Sequence, residues 1–392
     1  MSNTSADRYP PGSIRDAIVD FLELRDGPAS LAEIYDGVRG QFPEGVSSSS
    51  VRSYLSLNQG TVFERTARGQ YVLLTVYAPE ARVPEPPLVY SFGRTRLFHG
   101  DAINWLRAQP DCSLQAVVTD PPYGLLEYHP EQLAKLRSGN GGVWRIPPSF
   151  DGHERSPLPR FTVLSEEDLG NLSRFFERFG RALVPKLVPG AHVLIASNPL
   201  LSHITGGALA KAGLERRGEI VRLVMTMRGG DRPKNAHNEF RDVTVMPRSM
   251  WEPWLLFRKP IEGRVSDNLR KWRTGGLRRP SDDRPFGDVI QSHPARSRER
   301  QLAPHPTLKP QSFMRKVVRA ILPFGEGIVA DPFAGSGSTL AAAEWLGYQS
   351  VGVELDEAYV RVAQRAIPAL SSLEVEDSVI GRPGRPNPHE AS

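Results

Sequence analysis

Two short stretches carry residue types suited to group-transfer chemistry. The first, AVVTDPPYG from Ala116 to Gly124, is an apolar run ending in Asp120, Pro121, Pro122, Tyr123 and a glycine. Two successive prolines stiffen the turn that leaves the run. The Asp120 carboxylate can accept a hydrogen bond from an amino group, the Pro121 carbonyl can accept a second, and Tyr123 offers a flat face for stacking. That set suits an exocyclic amine on a planar heterocycle. Such an amine is a poor nucleophile because its lone pair is conjugated into the ring. Two fixed acceptors can draw it toward tetrahedral geometry and aim it at an electrophile. A bare turn capped by Asp120 is the alternative.

The second stretch, IVADPFAGSGSTLAAAEWLG from Ile328 to Gly347, runs from an apolar strand into a glycine loop and then an alanine-rich helix. Small residues at a strand-to-helix turn let a ligand approach the backbone, and the helix start supplies free N–H groups. Glu354 lies 19 residues beyond Gly335, at the end of the next apolar run. That is close to the roughly 20-residue spacing at which an acidic side chain meets ribose hydroxyls. No Lys-Ser/Thr pair follows the glycines, which argues against a phosphate-gripping loop. A tight turn with no ligand is the alternative reading here.

Together, and in this order, the motifs resemble the amino-group DNA methyltransferases, which make N6-methyladenine or N4-methylcytosine with S-adenosylmethionine. The resemblance runs from about Arg94 to Pro368. It implies that DPPY, Asp120–Tyr123, is the catalytic motif. It also implies that DPFAGSG, with Asp331, Phe333, Gly335, Ser336 and Gly337, forms the methionine-side cofactor loop, and that Glu354 holds the ribose. In HPTLKP, His305–Pro310, Thr307 and Lys309 would seat the cofactor's amino-acid end, with Leu308 standing where the family more often has glutamine. In LFHGDA, Asp101 stands where the family holds the adenine moiety. The catalytic turn precedes the cofactor loop by more than 200 residues, the permuted order of the beta class. Aspartate at the first catalytic position leans toward adenine N6; cytosine N4 is the alternative. A catalytically silent DNA-binding regulator, or an RNA or protein amino-methyltransferase, are alternatives of other classes.

These residues need a scaffold, and the hydrophobic pattern supplies one. Strand-like runs at Arg96–His99, Ala116–Thr119, His192–Ala196, Ile220–Met227, Trp254–Arg258, Gly327–Asp331 and Ser350–Glu354 alternate with helical stretches at Ile103–Leu106, Leu169–Leu187, Leu200–Ala212 and Thr339–Leu346. Such alternation predicts an α/β, Rossmann-like sheet with helices on both faces across residues 92–373. Residues 1–78 have a different rhythm: three helical segments, the second and third capped by Ser30 and Ser47–Ser50, followed by two strand-like pieces. That order predicts a small winged-helix-like domain, with Arg52 on its third helix and Arg65 and Arg68 on its wing. The proline-rich stretch between them reads as a linker over 79–91, and 374–392 as a disordered tail.

The chain has 392 residues and a net charge of +5. The excess sits between Arg228 and Arg300, where 17 Lys/Arg face 10 Asp/Glu, whereas Met1–Ala78 carries 7 Arg against 9 Asp/Glu. A basic insertion over about 228–300 suits a polyanion. In the methyltransferase class this is where DNA sequence is read, with Met227–Asp242 and Arg270–Pro280 as contact stretches and Trp251 or Trp272 as stacking wedges. Double-stranded DNA is the expected partner, with a cognate restriction endonuclease or a second copy of the chain as further partners. No apolar run approaches the ~18 residues of a membrane span, and the polar start lacks a secretory pattern, which predicts a cytoplasmic protein. Cys112, the lone cysteine, excludes an internal disulfide and reads as a small, partly buried residue. His237, His293 and His305 lack ligand spacing, so no metal is expected.

Overall fold

In a computed structural model of the chain, the described residues are 13–23, 25, 27–42, 45–60, 62–74, 85–122, 166–228, 233, 236–245, 247, 249–304 and 308–375. They fall into two compact units, one up to Val83 and one from Pro84 onward.

The first unit contains α1 (Ser13–Glu23), β1 (Ala29–Ser30), α2 (Leu31–Arg39), α3 (Ser48–Leu57), β2 (Phe63–Ala67) and β3 (Gln70–Leu73). Ser30 caps α2 reciprocally: its hydroxyl accepts from the Glu33 amide, and its own amide donates to the Glu33 carboxylate at 2.8 Å. Ser47 caps α3 through the Ser50 amide. The helices bury Ile18, Ile34, Val38, Val51 and Leu55 against Phe63. The strands form a small sheet of order β1-β3-β2, and Gly69 takes the left-handed φ that the β2–β3 turn needs. Arg52, Arg65 and Arg68 are exposed.

The second unit is an α/β sheet of nine strands. Its elements are β4 (Leu88–Phe92), β5 (Thr95–His99), α4 (Ala102–Ala108), β6 (Leu114–Thr119), α5 (Glu166–Leu183), β7 (Leu187–Ala196), α6 (Ser202–Lys211), β8 (Glu215–Arg228), β9 (Ser249–Arg258), α7 (Val265–Trp272), β10 (Val289–Gln291), α8 (Ser297–Leu302), α9 (Gln311–Ile321), β11 (Ile328–Asp331), α10 (Ser338–Trp345), β12 (Gln349–Glu354) and α11 (Glu357–Ser371). The strand order is β10-β8-β9-β7-β6-β11-β12-β5-β4. Only β9 and β4 run against the common direction. Alternation along the central strands sends Val117, Val193 and Ile195 to one face, under α4, α5 and α6. Ala116, Val118 and Leu194 go to the other, where α9 and α10 pack. Helices therefore cover both faces, as the alternating pattern predicts.

Three expectations are corrected here. Leu88–Ser91 are not linker but most of edge strand β4, held antiparallel to β5. The helix expected over Leu169–Leu187 stops at Leu183: Pro185 lies in a short 3-10 turn over Val184–Lys186, and Leu187 already belongs to β7. Cys112 is exposed, in a left-handed turn (φ 52°) between α4 and β6.

Parallel strands share one edge at their C-terminal ends, and the opposite edge carries a distinct feature. Asn268, fully buried, donates to the carbonyls of Pro189 (3.0 Å) and Thr274 (2.8 Å) and accepts from the Glu262 amide. Thr274 donates to the same Pro189 carbonyl at 2.6 Å. This polar buckle fastens the segment containing α7 beneath the N-terminal end of β7.

Candidate active site

The C-terminal edge gathers most of the residues singled out by type and spacing. β6 and β11 are adjacent and parallel, with Val329 opposite Ala116 and Ala330 opposite Val117. Their register brings Thr119, Asp120 and Asp331 together although Asp120 and Asp331 are 211 residues apart. Thr119 donates to Asp331 Oδ1 at 2.6 Å, and the Phe333 amide donates to the same oxygen at 3.2 Å. Burial pushes the Asp331 carboxyl up to about 6, and the nearby Asp120 charge adds to the rise; bonds from Thr119, Thr339 and the Phe333 amide pull it back.

The glycine loop is shaped by its neighbours. Gly335 and Gly337 both have left-handed φ, at 50° and 81°. A Cβ on Gly337 would stand 2.6 Å from Ile367 Cγ1 on α11, so only glycine lets that helix close against the loop. Ser336 is buried, and Phe333 packs against Phe179 with ring centroids 5.3 Å apart. Glu354, at the end of β12, accepts from the Gly335 amide at 2.7 Å and the Asp356 amide at 2.8 Å. Burial raises its pKa, and those amides oppose the rise. Next along the edge, β5 lies beside β12 with His99 opposite Glu354. Asp101 follows β5 and caps α4, accepting from the Asn104 amide at 2.9 Å.

On the other side of Asp120 stands Lys309. Its ammonium pairs with Asp120 Oδ2 and lies 3.4 Å from Glu252 Oε1. Expected at the cofactor's amino-acid end, Lys309 is placed against the Asp120 turn. Pro121 is buried and Pro122 exposed. Tyr123 and Thr307 lie outside the described residues, as does the run from Tyr123 through Pro159.

The basic insertion divides between the two edges. β8 ends and β9 begins at the edge that carries Asp120, so Trp251, near the start of β9, belongs there; residues 229–232 lie outside the described residues. Arg270–Pro280 and Trp272, expected as DNA contacts, lie at the edge opposite Asp120, where the buckle holds them. Their charges are engaged locally, Arg270 with Asp267 at 2.8 Å, Lys271 with Glu262 at 2.5 Å and Arg273 with Glu326 at 3.1 Å. Trp272 donates to Glu262 and packs on the core. Charge counting along a sequence cannot tell which edge a segment will occupy. Thr119, Glu252 and Arg222 are site residues that the sequence reading passes over; of these only Thr119, beside Asp120 in a buried strand, carried a positional signal.

A site of this order, with an acceptor turn after one strand, a glycine loop after its neighbour and an acidic residue after the next, can hold a nucleoside-bearing donor beside an amine. A family profile described as DNA methylase, of the N6/N4 methyltransferase type, matches residues 114–365. The chain belongs to this family. It is 22% identical over 281 residues to the type II methyltransferase M2.DpnII of Streptococcus pneumoniae, covering 71% of this chain and 92% of that protein. It is 28% identical over 143 residues to the DNA adenine methyltransferase YhdJ of Escherichia coli K12, covering 33% of this chain and 48% of that one. Among solved structures it is similar to the cytosine-N4-specific PvuII DNA methyltransferase, at 14% identity and a TM-score of 0.47, covering 75% of this chain and 91% of that chain. This N6/N4 methyltransferase has the α/β methyltransferase fold on a large mixed sheet. Among its described residues no helix is long and apolar enough to cross a membrane, and no group of His, Cys, Asp and Glu could hold a metal ion.

Proposed function

We propose that the chain methylates the exocyclic amino group of a base flipped out of double-stranded DNA, at adenine N6, with S-adenosylmethionine as donor. The observation that carries this is the Thr119 bridge, which fastens the end of the catalytic strand to the first residue of the cofactor loop. The residues fit the donor. Glu354 offers carboxylate lone pairs to ribose hydroxyls, the Gly335–Gly337 turn opens backbone to a ligand, and Asp101 and Phe333 flank the same edge; Thr307 and Lys309 would serve its amino-acid end. When bound, S-adenosylmethionine supplies a methyl group on a cationic sulfur, open to displacement by an amine.

The chain's own contribution is positioning and charge. Asp120 and the Pro121 carbonyl accept the two amino N–H bonds, freeing the lone pair from the ring, while Tyr123 stacks on the base. Asp120 then stabilises the cationic amine as the N–C bond forms and the C–S bond breaks, without acting as a strong base. The amine releases its extra proton to solvent afterwards. Adenine is supported by aspartate at the first catalytic position and by the likeness to a relative named for adenine. Trp251 and the Met227–Asp242 stretch are the DNA-reading elements in this proposal. The first unit, three helices and a three-stranded sheet, is read as a winged-helix-like module carrying Arg52, Arg65 and Arg68. The test is tritium transfer from labelled S-adenosylmethionine to duplex DNA, RNA or protein, followed by nucleoside analysis. N6-methyldeoxyadenosine is the expected product; N4-methyldeoxycytidine would reverse the choice of base, and no DNA product would reject the function.

A further inference from the structure

Behind Asp120 lies a line of buried charges, of which the methyl-transfer reading uses Lys309 and leaves Glu252 and Arg222 without a role. Lys309, Glu252 and Arg222 are 6%, 8% and 2% exposed. Lys309 contacts Asp120 on one side and Glu252 on the other. Glu252 Oε2 takes Arg222 Nη1 at 2.9 Å, and its Oε1 accepts from the Trp254 indole at 3.1 Å. Arg222 stands directly opposite Glu252 in the β8–β9 register. It is further fixed by Ser292 Oγ (3.2 Å), the His293 carbonyl (3.0 Å) and the Phe313 ring. Cohesion alone does not explain this arrangement, because desolvating ions is costly and an apolar set of the same volume is often as stable.

We propose that Glu252, clamped by Arg222, is a positioning residue for Asp120: it shares the Lys309 ammonium, so that Asp120 can turn an oxygen to the incoming amino group. This rests on the proposed methyl transfer. Without the second carboxylate, more of the Lys309 ammonium's attraction would fall on Asp120, in competition with the substrate amine for its oxygens. The pairing also explains why the ammonium is buried between the acid that follows β6 and an acid within β9, and does not reach into solvent.

Glu252→Gln keeps the shape and the acceptor for Trp254 while removing the charge. The expected result is a fall of at least about tenfold in the single-turnover methyl-transfer rate, with KM for duplex DNA within about twofold of wild type. In a Lys309→Met background the same substitution should cost nothing further. Independently of activity, the 15N signal of the Lys309 ammonium, identified by its loss in Lys309→Met, should move in both Asp120→Asn and Glu252→Gln. An unmoved signal in Glu252→Gln would overturn the proposal, as would an undiminished loss of rate in the Lys309→Met background. If Glu252→Gln fails to fold, Arg222→Met/Glu252→Gln, which leaves no orphaned ion, takes its place, and a wild-type transfer rate in that double variant is equally fatal. Wild-type protein that transfers no methyl to DNA while the ammonium still responds to both acids would reject the methyltransferase function and leave the shared ammonium standing.

Discussion

Asp331→Asn is the most direct probe of the junction between the strand that leads to Asp120 and the glycine loop. In the folded chain burial lifts this carboxyl from 3.8 to about 6. A carboxyl whose folded pKa is raised favours folding most below its unfolded pKa, and that advantage is lost as pH rises through the folded value. At roughly 1.4 kcal/mol per pH unit, a rise of about two units makes ionised Asp331 cost about 3 kcal/mol at pH 8. Asparagine is nearly isosteric. Its Oδ1 can accept from Thr119 and the Phe333 amide, and its Nδ2 can donate to the Thr339 hydroxyl. The variant should therefore be more stable than wild type by up to about 3 kcal/mol at pH 8. The difference should shrink between pH 6 and 4 and vanish near pH 4. Urea unfolding of both proteins across pH 4–8, followed by tryptophan fluorescence, measures the gap while the other carboxylates cancel. A pH-independent difference, or a variant less stable at pH 8, would show that Asp331 ionises without penalty and that Thr119 is not serving a buried acid.

Asp120→Ala should abolish methyl transfer while calorimetric binding of S-adenosylmethionine stays within a few-fold of wild type; retained turnover would remove Asp120 from the chemistry. Glu354→Gln should weaken cofactor binding by about tenfold, the worth of roughly one charge-assisted hydrogen bond, and an unchanged Kd would place the ribose elsewhere. Gly337→Ala, forced into left-handed backbone and against Ile367, should lower stability by about 1–3 kcal/mol, seen as a reduced Tm. Asn268→Ala should cost about 3 kcal/mol by stranding buried carbonyls, yet Arg270→Ala/Lys271→Ala should leave KM for DNA unchanged. A rise in that KM would return the α7 segment to the DNA surface.

Much of this architecture is legible from local pattern. Ser30 and Ser47 announce their helices because a cap is a contact between near neighbours. The strands that carry Asp120, Asp331 and Glu354 are short apolar runs ending in a polar residue, a signal that survives without tertiary context. What resists reading is what depends on distant partners. β4 owes its existence to pairing with β5 and reads as linker because prolines precede it. Helix α11 hides behind Pro368, which its last turn tolerates. The polarity of the α7 segment gives no hint of the single buried asparagine that fastens it beneath the sheet. The reach of Lys309 to Asp120 spans 189 positions, and no spacing rule foretells it.

The strand order has a consequence for how this enzyme comes into being. Strands made early form two separate rafts, β4-β5 on one side and β6-β7-β9-β8-β10 on the other. Only β11 and β12, near the end of the chain, can join them. On a ribosome adding roughly 5–20 residues per second, β6 waits about 10–40 s with one edge bare before its neighbour emerges. The edge that carries Asp120 is thus completed last, by the segment that also brings the glycine loop. A chain cut just before Gly327 separates Asp120 from that loop, so on the proposed function neither piece holds the whole site, and rejoining the rafts becomes a means of restoring it.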